Sequence, residues 1–496
     1  MENLNEYILL ASVLTPLICA LLLAVLPLGQ KALGLVSLLG FGLPAIGAVY
    51  LWAQFYSADL QLSGYAFQTA DLFGAPMPAL ALNGISLPLF VLAGIVSFAA
   101  GVWAIISRIE NKRLFMVMAL FMAGGLMGAF ASLSVLWMYI FHEFALVPTF
   151  IATCIWGGAG KRTAAMEMAV YLTLGALVSL IGIVTLRYYT GSFDITQMRD
   201  FFMTASLKDG AQGYVFAFFL FGLGALVSLF PFHSWAPRAY SAAPTAFAMM
   251  HAGVLKKFGL YVLIQVAVVL LPKGAESWAH VLAYLALGNV IIIGLITMAQ
   301  RDLKLMISYS SVSHMGICFL GIASLSVLGA GGAVLMMFGH GLSVALMFLL
   351  ANVAVNRTGQ WNMLWMGGLY KKTPVLACFF IAATLASIGL PGFANFWGEL
   401  AVLLALWKFS PVVCALAATG IIISAIYGLR AVANVFYGKH SAKLGNEDFA
   451  DITPVERLPA IILLAALLFV GFFPMSLTKG LDASLLDAGV YSQTSK

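Results

Sequence analysis

Residues 252–259 read Ala252-Gly253-Val254-Leu255-Lys256-Lys257-Phe258-Gly259, and they lie inside an apolar run extending from about 243 to 271. A hydrocarbon layer of ~30 Å is crossed by about 20 apolar residues of helix. The run therefore reads as a membrane span with two lysines near its middle. A charge at the bilayer centre is unfavourable by several kcal/mol, so a side chain of this kind faces a bundle interior or water and has a task there.

Outward from this run the pattern repeats. By the same length criterion there are about fourteen spans, near 7–28, 33–54, 84–107, 114–130, 133–156, 166–187, 214–230, 243–271, 278–298, 304–323, 327–354, 373–407, 411–436 and 458–475. Composition agrees. Of 496 residues 62% are hydrophobic and 9% charged, whereas a soluble chain carries about 25% charged residues. Only helices close their own backbone hydrogen bonds across so many apolar segments, and the short alternating strands of a barrel are not seen. The expected fold class is an all-α polytopic membrane protein lying in a lipid bilayer. Its acidic start, Met1 to Glu6, leads directly into a first span rather than a cleavable leader.

The net charge of +6 is scattered over short loops, so nucleic acid is not an expected partner. Most loop lysines and arginines follow odd-numbered spans, among them Arg108, Lys112, Arg113, Lys161, Arg162, Arg301, Lys304, Arg357, Lys371, Lys372 and Lys443. By the positive-inside rule both termini are expected on the non-cytoplasmic side. The five cysteines, Cys19, Cys154, Cys318, Cys378 and Cys414, form no CxxC pair and read as small core residues. With no GxGxxG, no Walker A motif and no clustered thiols, the chain is expected to bind no nucleotide, flavin, metal or iron–sulfur centre of its own.

Two spans are interrupted, at Phe230-Pro231-Phe232 and at Gly389-Leu390-Pro391-Gly392. Proline removes a backbone donor and breaks the preceding turn. Broken helices at matching places in two halves point to inverted repeats that enclose a transport path. The expected organisation is three N-terminal helices over 1–110, five-helix units over 114–271 and 278–436, and a loop, last helix and tail over 437–496. A proline kink without a repeat is the simpler alternative.

Ionisable residues inside the spans are the candidate site. Glu143 is read as a buried proton-exchanging carboxylate. Lys256 and Lys257 point about 100° apart on a helix, and Lys257 is favoured as functional, because a desolvated lysine releases its proton near neutral pH. His314 and His340 lie mid-span beside Gly316, Gly339 and Gly341, which are read as leaving room for a partner or water, and histidine carries protons in both directions. Glu399 follows the second break and is read as a gate. Auxiliary candidates are Lys256, His142, His233 and His251. His233 is placed to bridge backbone groups freed by the first break. His142 and His251 are read as packing or local partners. His280 and His440 carry no signal.

Several of these residues sit in longer motifs. They are Asp302-Leu-Lys304-Leu-Met-Ile-Ser-Tyr309-Ser-Ser-Val-Ser-His314-Met-Gly316, Phe230-Pro-Phe-His233-Ser-Trp235-Ala-Pro237, Ala243-Pro-Thr245 and Gly253-Val-Leu-Lys-Lys257. Together they closely resemble the antiporter-like, proton-translocating subunits of respiratory complex I, NADH-quinone oxidoreductase. Gly389-Leu-Pro391-Gly-Phe-Ala-Asn395-Phe-Trp-Gly398-Glu399 resembles most the chain M, or subunit 4, branch. Sister chains L and N usually carry lysine where Glu399 stands, and chain L has a long C-terminal extension missing here. The resemblance implies fourteen spans, two inverted repeats each with a discontinuous helix, and a midplane axis of Glu143, Lys257, His314, His340 and Glu399. It implies L- and N-like membrane-arm partners in a bacterial inner membrane or an energy-converting organelle membrane. NADH, FMN, iron–sulfur clusters and quinone are implied in partner subunits.

One departure is notable. The family usually has a lysine seven residues before the histidine of the first broken helix, a position held here by Leu226. The usual Asp after Trp-x-Pro is Arg238. Either another cation, such as Lys256 or His142, takes over, or this half-channel is impaired. The function expected is proton translocation coupled to quinone reduction elsewhere. A subunit of a multi-component cation/proton antiporter and a structural membrane-arm spacer are the alternatives.

Overall fold

The computed structural model describes residues 2–57, 64–69, 79–205, 207, 209–439, 441, 450–489 and 491. Lys208, His440, Lys443 and Lys496 lie outside the described residues. The chain is a bundle of helices, with no strand beyond isolated bridges among the described residues. In order they are α1 (Glu2–Val25), α2 (Gln30–Ser57), α3 (Ser86–Ile106), α4 (Lys112–Ala131), α5 (Val135–Trp156), α6 (Lys161–Thr190), α7 (Ile195–Thr204) and α8 (Asp209–Val227). Then come α9 (Trp235–Ala242), α10 (Thr245–Leu270), α11 (Pro272–Ala299), α12 (Leu303–Ala323) and α13 (Val327–Thr358). The chain continues with α14 (Pro374–Ser387), α15 (Ala394–Phe409), α16 (Pro411–Phe436), α17 (Pro454–Phe472) and α18 (Met475–Asp487).

Thirteen described helices are long and apolar enough to cross a membrane, and α14 is a shorter apolar helix. With α14 and α15 taken as one broken span, each expected span has its counterpart. Helix starts follow local chemistry. The side chains of Asp194, Asp302, Ser326 and Ser410 accept from first-turn amides, and Thr453 with Glu456 forms a capping box. Pro272, Pro374, Pro411 and Pro454 occupy first-turn positions, where a missing amide hydrogen costs nothing.

Burial sorts the helices. The apolar window of α13 is wholly enclosed and that of α10 is 94% enclosed, against 33% for α6 and 28% for α16. The two innermost helices carry His340 and the lysine pair. They touch backbone to backbone: a Cβ on Gly341 would lie 2.5 Å from the Gly253 carbonyl oxygen. Small residues permit this approach, which larger side chains would forbid.

The sequence did not foretell α7 and α18, two short helices outside the spans. Helix α18 is tied down by Trp52 Nε1 on the Ser476 carbonyl, Tyr56 on the Leu477 carbonyl, and the Gly84 amide on Ser484 Oγ. Two side chains differ from their sequence reading. Cys378 is exposed on α14 rather than in the core, although Cys19 and Cys318 are buried. Lys304 is not a loop cation. It is buried, donates to the Ala243 carbonyl at 2.7 Å and lies over the Trp361 ring, so it caps the end of α9.

Candidate functional site

Both helix breaks are closed by the same hydrogen-bond pattern. At the second, the Leu390 amide donates to the Leu385 carbonyl and the Gly389 amide to Ala386, with Gly389 at φ +73. At the first, the Leu229 amide donates to Gly224 and the Ser228 amide to Ala225, with Ser228 at φ +63. Each is a Schellman ending, which satisfies two late carbonyls of a helix and leaves the last turn partly open.

Around the first break, Asn289 of α11 does most of the bridging that the sequence suggested for His233. Its Oδ1 accepts from the Phe230 amide at 2.6 Å, and its Nδ2 donates to the carbonyls of Ser228 at 2.9 Å and Val312 at 3.1 Å. Asn289 lies in a π-helical turn, Gly288–Ile293, which rotates its side chain into the break. His233 instead stacks on Phe230, ring centroids 5.6 Å apart. Sequence reading missed Asn289. An asparagine in an otherwise apolar span was the available signal.

The second break meets a line of buried titratable groups. The Lys257 side chain is fully buried, donates to the Ala252 carbonyl of its own helix, and lies 3.0 Å from Nδ1 of His340. A π-helical turn, His251–Leu255, precedes it. The direction of the Lys257–His340 hydrogen bond follows the tautomer of the His340 ring. That ring lies 5.4 Å from the ring of His314, centroid to centroid. His314 donates from Nδ1 to the Ser310 carbonyl at 2.9 Å. Nε2 of the same ring is buried without a hydrogen-bond partner among the described residues. A cavity of about 10 Å³, room for roughly one water, is lined by His314, Glu399, Ser313 and Ser424 among others. The Glu399 carboxylate, 7% exposed, lies over the break: a Cβ on Gly389 would fall 2.1 Å from its Oε2. Asn395 donates to Ser343 Oγ at 3.3 Å and holds α15 against α13 beside His340.

Of the two uses their sequence context suggested, a partner or water, the glycines near the histidines serve the first. A Cβ on Gly316 would meet the Ala286 carbonyl and Asn289, and one on Gly339 would meet Asn395. They permit close helix contact, and this contact is what brings the polar groups together.

Glu143 departs from its reading as a buried acid. On α5 the inward face carries Met138, Tyr139, His142, Ala145, Leu146 and Thr149, whereas Glu143, Phe144 and Val147 turn outward. The Glu143 side chain is 45% exposed in the single chain, with His142 Nδ1 3.5 Å from its Oε1. His142 is the inward residue and stacks on Phe258 at 4.4 Å. Leu226 is buried beside Gly175 of α6. His251 lies between Trp235 and Tyr240, and His280 stacks on Phe409. Among the described residues no three His, Cys, Asp or Glu side chains gather into a metal-holding set.

A polytopic bundle with two broken helices and a buried lysine–histidine–carboxylate line defines a membrane ion-transfer protein. Residues 132–424 match the family described as NADH:quinone oxidoreductase/Mrp antiporter, TM. A relative named NAD(P)H-quinone oxidoreductase chain 4 1, from Synechococcus sp. (strain JA-2-3B'a(2-13)), is 33% identical over 89% of this chain and 86% of its own length. Another, NAD(P)H-quinone oxidoreductase chain 4 2 from Thermosynechococcus vestitus, is 33% identical over 95% and 90%. A chain of respiratory complex I from Thermus thermophilus superposes with a TM-score of 0.84 at 28% identity, over 97% of this chain and 99% of that one. A chain of the Mrp complex from Dietzia sp. DQ12-45-1b shares the fold, with a TM-score of 0.86 at 19% identity over 99% of each. The protein belongs to the NADH:quinone oxidoreductase/Mrp antiporter transmembrane family.

Proposed function

We propose that the chain is a proton-translocating membrane subunit of a complex I-type NADH:quinone oxidoreductase, moving H⁺ while redox chemistry proceeds in partner subunits. The observation that carries this reading is the buried line Lys257–His340–His314–Glu399 ending at the second helix break. Ionisable side chains are not kept in the middle of a helix bundle without a task, since a charge there is unfavourable by several kcal/mol. An amine, two imidazoles and a carboxyl in sequence let a proton be held at each position in turn, with Glu399 as the gate beside the open backbone.

In this reading the two Schellman-closed breaks belong to inverted five-helix units over 114–271 and 278–436. NADH, FMN, iron–sulfur clusters and quinone reside in partners, and both termini face away from the cytoplasm of a bacterial inner membrane or its organelle equivalent. Glu143, exposed on an apolar helix face, is covered in the assembly by an L- or N-like membrane subunit. The Mrp fold match favours a second reading, a multi-component cation/proton antiporter subunit. Sequence identity supports it less, at 19% against 33% for the quinone oxidoreductase chains.

The decisive test is Lys257→Met in the assembled complex, reconstituted in vesicles. NADH oxidation should continue with fewer protons moved per NADH. An unchanged proton yield in a correctly assembled variant defeats the reading.

A further inference from the structure

Lys256 is a buried lysine that the line above does not use. Its side chain is 2% exposed, and its Nζ finds no hydrogen-bond partner among the described residues. The ammonium lies 5.3 Å over the Tyr240 ring, and Tyr240 in turn meets His251, ring centroids 4.9 Å apart. The Tyr240 hydroxyl and Nδ1 of His251 are likewise buried without a partner. An orphaned polar atom in a protein interior is unfavourable by about 1–3 kcal/mol, more if charged. Three together, in a cage of Trp235, Tyr240 and His251, are not explained by packing, which leucine and phenylalanine would serve better.

Position gives the cluster a use. Tyr240 and Trp235 belong to α9, the helix that follows the first break. The loop of that break reaches the surface through a polar network: Ser234 Oγ donates to Glu167 Oε1 at 3.0 Å, Tyr171 lies 3.2 Å from the same hydroxyl, and Arg238 pairs with Glu167 at 3.0 Å with its own side chain 63% exposed. Lys256 thus packs on the helix that starts at this polar mouth, and the next residue in the chain, Lys257, meets His340 in the central line.

We propose that Lys256, with Tyr240 and His251, forms a second buried proton-holding site that takes up protons from the first helix break and passes them to Lys257. In one cycle the neutral Lys256 amine gains one proton from the mouth, and its ammonium then gives one proton to the neutral Lys257 amine. Only N–H and O–H bonds change and no electron moves. The face of Tyr240 stabilises the charged form while it lasts. Repulsion between neighbouring ammonium groups in a low-dielectric interior favours one proton shared by the pair.

The inference rests on the proton-translocation reading, and its test separates the two. Lys256→Met, Lys256→Arg, Tyr240→Leu and Lys257→Met are each introduced into the whole reconstituted complex, and protons moved per NADH oxidised are measured. Lys256→Met is expected to lose the same share of protons as Lys257→Met. Lys256→Arg keeps the charge but cannot release its proton, so it is expected to lose that share too. Full pumping in either Lys256 variant, with Lys257→Met impaired, overturns the proposal and leaves the functional reading standing. Full pumping in Lys257→Met removes both. If the Lys256 variants do not assemble, Tyr240→Leu decides: it removes the ring face that stabilises the ammonium, a reduced proton yield supports the relay, and an unchanged yield refutes it.

Discussion

Glu399 and Gly389 show how closely chemistry and backbone conformation are coupled at a single position. Gly389 has φ +73, and its missing side chain is the space that the Glu399 carboxylate occupies. Gly389→Ala adds left-handed strain of about 1–2 kcal/mol and pushes the carboxylate off the break. A lower unfolding midpoint in detergent together with a reduced proton yield is expected. Unaltered pumping would detach Glu399 from the gate. Glu399→Gln keeps the shape and removes the titrating proton, so it should retain the midpoint and lose the yield. The same scale corrects Glu143. Its place in the sequence marks a helix face, and neighbours on α5 show that the inward residue is His142.

At the scale of elements, the two broken helices end alike but are sealed differently. The second uses glycine at the left-handed position, whereas the first uses Ser228 and recruits Asn289 from α11. Asn289→Leu would strand the Phe230 amide and the Ser228 carbonyl. At about 1–3 kcal/mol for each buried group left unpaired, the variant should unfold several kcal/mol more easily, as read from denaturation in detergent. Asn289→Asp keeps the acceptor alone and should fall between it and the parent. If Asn289→Leu melts with the parent, the break is not held by this residue. The prolines and glycines of both breaks were legible in the sequence. The role of Asn289 was not, because its partners lie in the first break and on α12, distant in the chain.

For the molecule as a whole, the outer faces of α5, α6 and α16 are apolar and suited to lipid or to neighbouring subunits. Glu143 interrupts that surface with a half-exposed carboxylate. A carboxylate facing hydrocarbon is strongly disfavoured, so the proposed assembly covers it. A carbodiimide that labels accessible membrane carboxyls should modify Glu143 in the isolated chain and spare it in the complex. Equal labelling in both would place this face in lipid. At this scale too, the enclosure of α10 and α13 explains why the candidate line is central: the helices that carry Lys257 and His340 are those with least contact to the outside.

The sequence by itself determined the class of fold, the spans and the two interruptions, because chain length per bilayer, helix-only backbone satisfaction and proline sterics act locally and leave their pattern in the order of residues. It also marked Lys257, His314, His340 and Glu399, since an ionisable group inside an apolar run is visible without coordinates. Only the tertiary structure decided which of these meet, which face a charged side chain turns toward, and that Lys256 stands apart in its own cage. Those outcomes depend on helix rotation, on π-helical turns that shift it, and on close glycine crossings such as Gly253 with Gly341, and each is set by contacts between segments far apart in the chain.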